Sequence, residues 1–345
     1  MHIGILTGGG DCPGLNAAIR AIIRKGTFHY NDTFVGFLEG WKGVLENRTQ
    51  KLTLENARGI LPVGGTILRT SRTNPAKQSD GLTRCRLNLE ANGIDALIAI
   101  GGDDTLGVAY KLYELGVSVI GVPKTIDNDL AGTDYCFGFD TAVGIAAEAI
   151  GRLHSTAEAH NRVFVVEVMG RDAGWIALYA GMAGGADVIL VPEEPFNIET
   201  VVNVIQSRVK RGSYFSIVVV AEGARPADPV HGSGIVAGIE RDEFGHARLG
   251  GIGEQVALEI GKRTKIDTRA TVLGHIQRGG TPSAFDRVLA TRYGIGAIDM
   301  AHRGEFGCMT ALRANRFIAI PLCEVAGKNR TLGLDELEAL RGINP

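Results

Sequence analysis

"ALIAIGGDDTLGVAYKLYELGVSVIGVPKTIDNDL", residues 96–130, decides the fold. An unbroken apolar run ends on Gly101 and Gly102, a stretch of helical period follows, and a second apolar run leads into a loop holding Asp127 and Asp129. Apolar runs without alternation suit parallel strands buried on both faces. The glycine pair permits a backbone shaped around a phosphate. Asp103 and Asp104 come immediately after it. One carboxylate there can hold a metal ion. A second negative charge beside a phosphate site calls for its own explanation.

The same alternation extends outward. Further strand candidates are "HIGILT" (2–7), "VFVVEV" (163–168), "DVILVP" (187–192), "FSIVVVAEG" (215–223) and "RATVLG" (269–274). Helical patterns lie between them, over 13–26, 105–116, 141–160, 197–212 and 284–304. Alternating β and α predicts an α/β fold with doubly wound, Rossmann-like parallel sheets. "ILTGGGDCPGLNAAIR" repeats the strand, glycine and helix device without a fixed period. Residues 224–250, rich in Pro, Gly and charge, read as a long loop or hairpin excursion. No linker divides the chain, so two domains are expected to exchange elements across a cleft: 1–139 plus 277–325, and 140–276 plus 326–345.

The chain has 345 residues, 36 of them basic and 38 acidic, for a net charge of −2. That balance gives no reason to expect nucleic acid or anionic lipid as a partner. No apolar run reaches membrane-spanning length. The N-terminus lacks a signal-peptide core, and five scattered cysteines suggest reduced thiols, so a cytoplasmic protein is expected.

Three glycine loops carry the chemistry. In "TGGGDCPGLN" (7–16), Gly8, Gly9 and Gly10 can expose backbone N–H groups, and a helix beginning near Pro13 turns its positive end toward them. By itself such a loop reads better as a tight turn with Asp11 as a helix cap. "GGTILRTSR" (64–72) adds Arg72, a better phosphate contact than Arg69, and "IGGDDT" is the third loop. In "PKTIDNDL" (123–130), Asp127 and Asp129 face one side of an extended segment at a strand's C-terminal end, where open α/β sheets bind ligands. Asp129 or Asp103 could hold Mg²⁺, and Asp127 could accept a hydroxyl proton.

Taken together, "GGGDCPGLNAAIR", "PKTIDND", "FGFDTA", "VEVMGRDAGWIAL" and "ATVLGHIQRGGTPSAFDR" resemble the phosphofructokinase family, from about residue 2 to 320. The resemblance implies phosphoryl transfer to the 1-hydroxyl of fructose 6-phosphate. It makes Asp127 the base, with Thr125 and Asp129 beside it. Met169, Gly170 and Arg171 match the segment touching the sugar, and Arg171 also neutralises the transferring phosphoryl. Glu222 matches an acceptor for a sugar hydroxyl. Arg162, Arg269, His275 and Arg278 match phosphate-binding positions. In the family the arginines matching Arg162 and Arg269 reach in from a neighbouring subunit, which implies a homodimer or homotetramer. Arg20, Arg24 and His154 fall near effector positions of regulated relatives, and weak or absent nucleotide regulation is expected.

Donor choice turns on the second carboxylate. ATP-using members resembling this chain have glycine where Asp104 stands, and many have glycine where Lys124 stands. Asp104 adds bulk and charge where an α-phosphate would lie. Gly10, Arg72, Asp104 and Lys124 would then frame a shorter donor, pyrophosphate with Mg²⁺. This resembles the pyrophosphate-dependent bacterial branch. The rivals are an ATP-dependent phosphofructokinase and, more remotely, a non-catalytic sugar-phosphate sensor. A Rossmann dehydrogenase fails on its glycine spacing.

Overall fold

The computed structural model describes residues 1–227 and 249–343. Most of the stretch expected to form a long excursion, residues 228–248, lies outside them.

The chain opens with β1 (His2–Thr7), α1 (Leu15–Lys25), β2 (Thr33–Phe37), α2 (Trp41–Leu45), β3 (Thr49–Leu52) and α3 (Gly81–Ala91). β4 (Ala96–Gly101), α4 (Asp103–Glu114) and β5 (Val119–Pro123) follow. Next come α5 (Phe139–His160), β6 (Val163–Val168), α6 (Trp175–Gly184), β7 (Val188–Leu190), α7 (Ile198–Lys210) and β8 (Ser216–Ala221). The chain closes with α8 (Ile252–Thr264), β9 (Thr268–Val272), α9 (Ala284–Arg303), β10 (Cys308–Arg313), β11 (Arg316–Pro321) and α10 (Leu334–Ile343).

Two sheets result. The larger runs β11-β10-β5-β4-β1-β2-β3, and the smaller β7-β8-β6-β9. The smaller sheet is parallel throughout. The larger is parallel from β2 to β10, with antiparallel edges at β3 and β11. β4 and β5 are buried along their whole lengths, as their unbroken apolar runs predict.

Both sheets are covered on two faces, because a strand sends alternate side chains to opposite sides. Phe164, Val166 and Val168 of β6 join the core that also holds Ile150 of α5 and Ile176 of α6. Val163 and Val165 point the other way, into a cluster with Val201 and Ile205 of α7 and Val256 and Ile260 of α8. In the larger sheet, Ile3 and Ile5 pack with α1 and α9, whereas Leu6 and Leu97 pack with α2, α3 and α4. The first of these cores is continuous between the sheets, carried by α5 and α9.

The structure adds strands absent from the sequence reading: β2, β3, β10 and β11. β3 and β11 lie at the sheet edges, where one face stays wet and the apolar signal fades, and β2 and β10 are interrupted by Gly, Thr or charged residues. β10 and β11 are joined by Ala314 and Asn315, both at positive φ, the backbone of a two-residue hairpin turn. β9 is also corrected. Its apolar string suggested a buried strand, but it is a half-exposed edge.

Candidate active site

The C-terminal ends of parallel strands from both sheets converge on one polar cleft. β1 delivers Gly8 to Gly10, β4 delivers Gly102 to Asp104, and β5 delivers Lys124 to Asp129. β6 delivers Met169 to Arg171, and β8 delivers Glu222. Ligands of open α/β sheets bind at such ends.

Gly10, Arg72, Asp103, Asp104 and Lys124 line the cleft on the larger sheet's side. Thr125, Asp127, Asp129, Arg171 and Arg278 also line it. The glycine loop is held by its neighbours: Gly8 N–H donates to Ile100 O at 2.9 Å and Gly9 N–H to Ser71 O at 3.3 Å. Gly10 lies against Arg278, and a Cβ there would come within 2.5 Å of its guanidinium and push it aside. Arg278 also donates to Asp11 O at 3.3 Å. It therefore reaches from the 3₁₀ turn Gly274–Arg278 to the donor loop.

Lys124 is buried, 3% exposed, and its ammonium donates to Gly10 O at 2.5 Å. Burial lowers its pKa, opposed by nearby Cys12 and by the charges of Asp127 and Asp11. The lysine thus lies across the glycine loop and occupies space beneath it. Arg69, by contrast, sits 3.9 Å from Glu39 with three-quarters of its side chain in water, so it is a surface ion pair.

The carboxylates are crowded. Asp127 is 5% exposed, and its Oδ1 has no hydrogen-bond partner among the described residues. Its backbone N–H donates to Thr125 Oγ1 at 3.0 Å, which shapes the loop. Burial and the charge of Asp127 push Asp129 up to about 7. Burial and Asp127 likewise push Glu222 up to about 7. Asp103 opens α4 and accepts from Gly327 N–H at 2.7 Å, leaving its second oxygen for other partners. A buried Asp129 repelled by the charges of Asp127 and Asp103 fits a divalent cation held by Asp103 and Asp129. Mg²⁺ takes few carboxylates and completes its shell with water and substrate phosphates.

On the sugar side, Glu222 accepts from Arg171 N–H at 3.3 Å. Arg171 has φ 51° and follows Gly170 at φ 145°, so the loop turns sharply at this point. Gly223 makes room for that turn, because a Cβ there would clash with Arg171 O. Met169 is buried, and its N–H donates to Gln277 Oε1 at 3.4 Å. His275 is exposed on the same 3₁₀ turn as Arg278.

Arg162 and Arg269 are not brought to this cleft. Arg162 precedes β6, and Arg269 pairs with Phe164 near the start of that strand. They lie at the opposite end of the smaller sheet, about 20 Å of strand away. There both ion-pair with Asp267, at 2.6 and 3.1 Å. Of the effector candidates, His154 donates to Gly184 O at 2.7 Å and Arg24 lies 5.3 Å from the Phe28 ring.

The sequence reading missed the C-terminal segment. Asn329 lines the cleft. Its neighbours reach both sides: Arg330 N–H donates to Asp129 O at 2.6 Å, and Leu332 N–H to Glu193 Oε1 at 3.0 Å. Exposed polar loop residues carry no periodic signal that could have revealed this.

Comparison with known proteins gives the family. The model of the phosphofructokinase family matches residues 2–301, and the chain belongs to that family. It is 59% identical to a protein of Streptomyces coelicolor named pyrophosphate–fructose 6-phosphate 1-phosphotransferase, over 96% of both chains. It is 53% identical to a protein of Mycobacterium tuberculosis named ATP-dependent 6-phosphofructokinase, over 95% of both. Among solved structures, a pyrophosphate-dependent phosphofructokinase from Marinobacter aquaeolei superposes with a TM-score of 0.83 at 25% identity, covering 99% of this chain and 91% of that one.

Proposed function

We propose that this enzyme transfers a phosphoryl group from pyrophosphate to the 1-hydroxyl of fructose 6-phosphate. The products are fructose 1,6-bisphosphate and phosphate, and the reaction is reversible. The observation that carries the choice of donor is the filling of the donor loop. Lys124 lies buried against Gly10, and Asp104 lines the same cleft. Two linked phosphates need less room than a nucleotide, and a carboxylate repels the α-phosphate of a longer donor.

Asp127 accepts the hydroxyl proton through the buried oxygen that has no partner among the described residues. The hydroxyl oxygen then bonds to the near phosphorus, the bridging P–O bond breaks, and phosphate leaves. In reverse, Asp127 returns the proton. Arg171 and Arg278 supply fixed positive charge where negative charge spreads over the transferring group. Gly10 and Arg72 hold the donor's oxygens by backbone N–H and guanidinium. Asp103 and Asp129 would hold Mg²⁺, which neutralises the donor's charge when bound. Met169, Gly170 and Glu222 position the sugar. A sugar phosphate carries about two negative charges near neutral pH, and His275, with Arg162 and Arg269 from a second subunit, covers them. The site is then complete only in a homodimer or homotetramer.

We assign the donor half to 1–139 plus 277–325 and the sugar half to 140–276 plus 326–345. The five cysteines are free thiols, in keeping with a cytoplasmic enzyme. Purified protein with Mg²⁺ and fructose 6-phosphate should turn over with pyrophosphate and poorly with ATP. Asp104→Gly, alone or with Lys124→Gly, should raise ATP use. Rapid turnover of wild type with ATP and none with pyrophosphate overturns the choice of donor.

A further inference from the structure

We propose that the segment from Gly327 to Leu332 is a strap across the cleft and that Asn329 binds the phosphoryl donor directly. The proposal rests on pyrophosphate as donor.

The strap is anchored on both banks. On the donor side Gly327 N–H donates to Asp103 Oδ1 at 2.7 Å, and Asn329 forms an antiparallel bridge with Leu130, next to the catalytic loop. Arg330 N–H donates to Asp129 O at 2.6 Å, and the Arg330 guanidinium donates to Asp134 O at 2.8 Å. On the sugar side Trp175 Nε1 donates to Arg330 O at 3.0 Å, and the guanidinium stacks 4.1 Å from the Trp175 ring. Leu332 N–H then donates to Glu193 Oε1, the carboxylate that also accepts from Gly174 N–H at 2.9 Å. The loop bearing Arg171 and the loop bearing Asp127 are thus held by one stretch of backbone.

Asn329 sits between these anchors and is exposed within the cleft, among Asp103, Asp104 and Asp129. In that acidic surround a neutral amide is the useful donor. It can give an N–H to a phosphate oxygen without forming an ion pair with the carboxylates that would hold the metal. A hydrogen bond to a charged partner is worth about 1.5–3 kcal/mol, or roughly ten- to a hundredfold in affinity.

The test uses Asn329→Ala and Asn329→Asp in the full-length enzyme. In Asn329→Ala, KM for pyrophosphate should rise about ten- to a hundredfold, while KM for fructose 6-phosphate stays near wild type. Asn329→Asp should lose more, through charge repulsion, and Asn329→Gln should recover part of the loss. Calorimetric titration with magnesium pyrophosphate should weaken in parallel. Wild type is assayed first, because failure to use pyrophosphate sinks the donor assignment itself. If wild type uses pyrophosphate and both variants keep its KM and affinity, Asn329 does not touch the donor and the proposal is overturned. A rise in both substrates' KM values together would overturn it equally, since the strap would then act only on the cleft's shape.

Discussion

The smaller sheet has two chemically opposite ends. At the C-terminal end of its strands, acids are crowded together. Burial and Asp127 hold Glu222 up at about 7, and the nearby Asp129 is raised to about 7 for the same reasons. At the N-terminal end Asp267 faces two bases, Arg162 and Arg269. Removal of water works against the charge of Asp267, but the hydrogen bond and charge of Arg162 and the charge of Arg269 outweigh it and lower its pKa. One end is short of positive charge and the other has a surplus on its surface. A second copy of the chain that brought the arginine end of one sheet to the acid end of another would satisfy both. This contrast is the physical case for a site shared between subunits.

The largest effect should come from the acid end alone. Asp127→Ala should cut kcat by about 10²–10⁴-fold and change substrate affinity far less, because a proton acceptor acts mainly in the transition state. Steady-state kinetics with a direct binding measurement separates the two. Loss of sugar affinity with kcat preserved would recast Asp127 as a binding group.

The comparison itself is tested by mixing. Arg162→Ala or Arg269→Ala should raise KM for fructose 6-phosphate by roughly ten- to a hundredfold, the worth of one charge-assisted hydrogen bond. Either variant, dissociated and reassembled with Asp127→Ala, should turn over low concentrations of fructose 6-phosphate faster than the two variants do separately. A hybrid site can draw its arginines from one subunit and its base from the other. If the mixture gives only the sum of its parts, each site is built from a single chain, and the arginine end serves another purpose.

Much of this was legible in the residues. β1, β4, β5, β6 and β8 announce themselves as apolar runs because both faces are buried. The loops at their C-terminal ends announce themselves through glycine and aspartate. Chain order alone therefore places Asp103, Asp127 and Arg171 near one another. Three things were hidden for physical reasons. Edge strands such as β3, "TQKL", keep one side in water and lose the apolar signature. The exposure of β9 depends on its place at the sheet edge, which its own apolar residues do not reveal. The strap around Asn329 is held by backbone hydrogen bonds and one stacked arginine, neither of which leaves a periodic trace.

The smallest expected effect isolates the crowding at the acid end. Glu222 ordinarily ionises near 4.5, but in the fold it does so at about 7. The folded state therefore holds that proton more tightly than the unfolded chain. Its contribution to stability is full below the unfolded pKa, declines as pH rises through the window up to about 7, and is gone above it. Glutamine keeps the carbonyl oxygen that can accept from Arg171 N–H and removes the titration. Glu222→Gln should match wild type in stability near pH 4 and exceed it by about 1–2 kcal/mol near pH 8, in denaturant melts without substrate or metal. Adding Mg²⁺ alone should narrow the gap by supplying charge of the opposite sign to the cleft's acids. The same substitution logic at Asp267 has the opposite sign, since Asp267→Asn removes an acid already stabilised by two arginines and should gain nothing at high pH. Stability curves for Glu222→Gln that run parallel to wild type from pH 4 to pH 8 would mean that the acid end is not crowded, and the contrast between the two ends would fail with it.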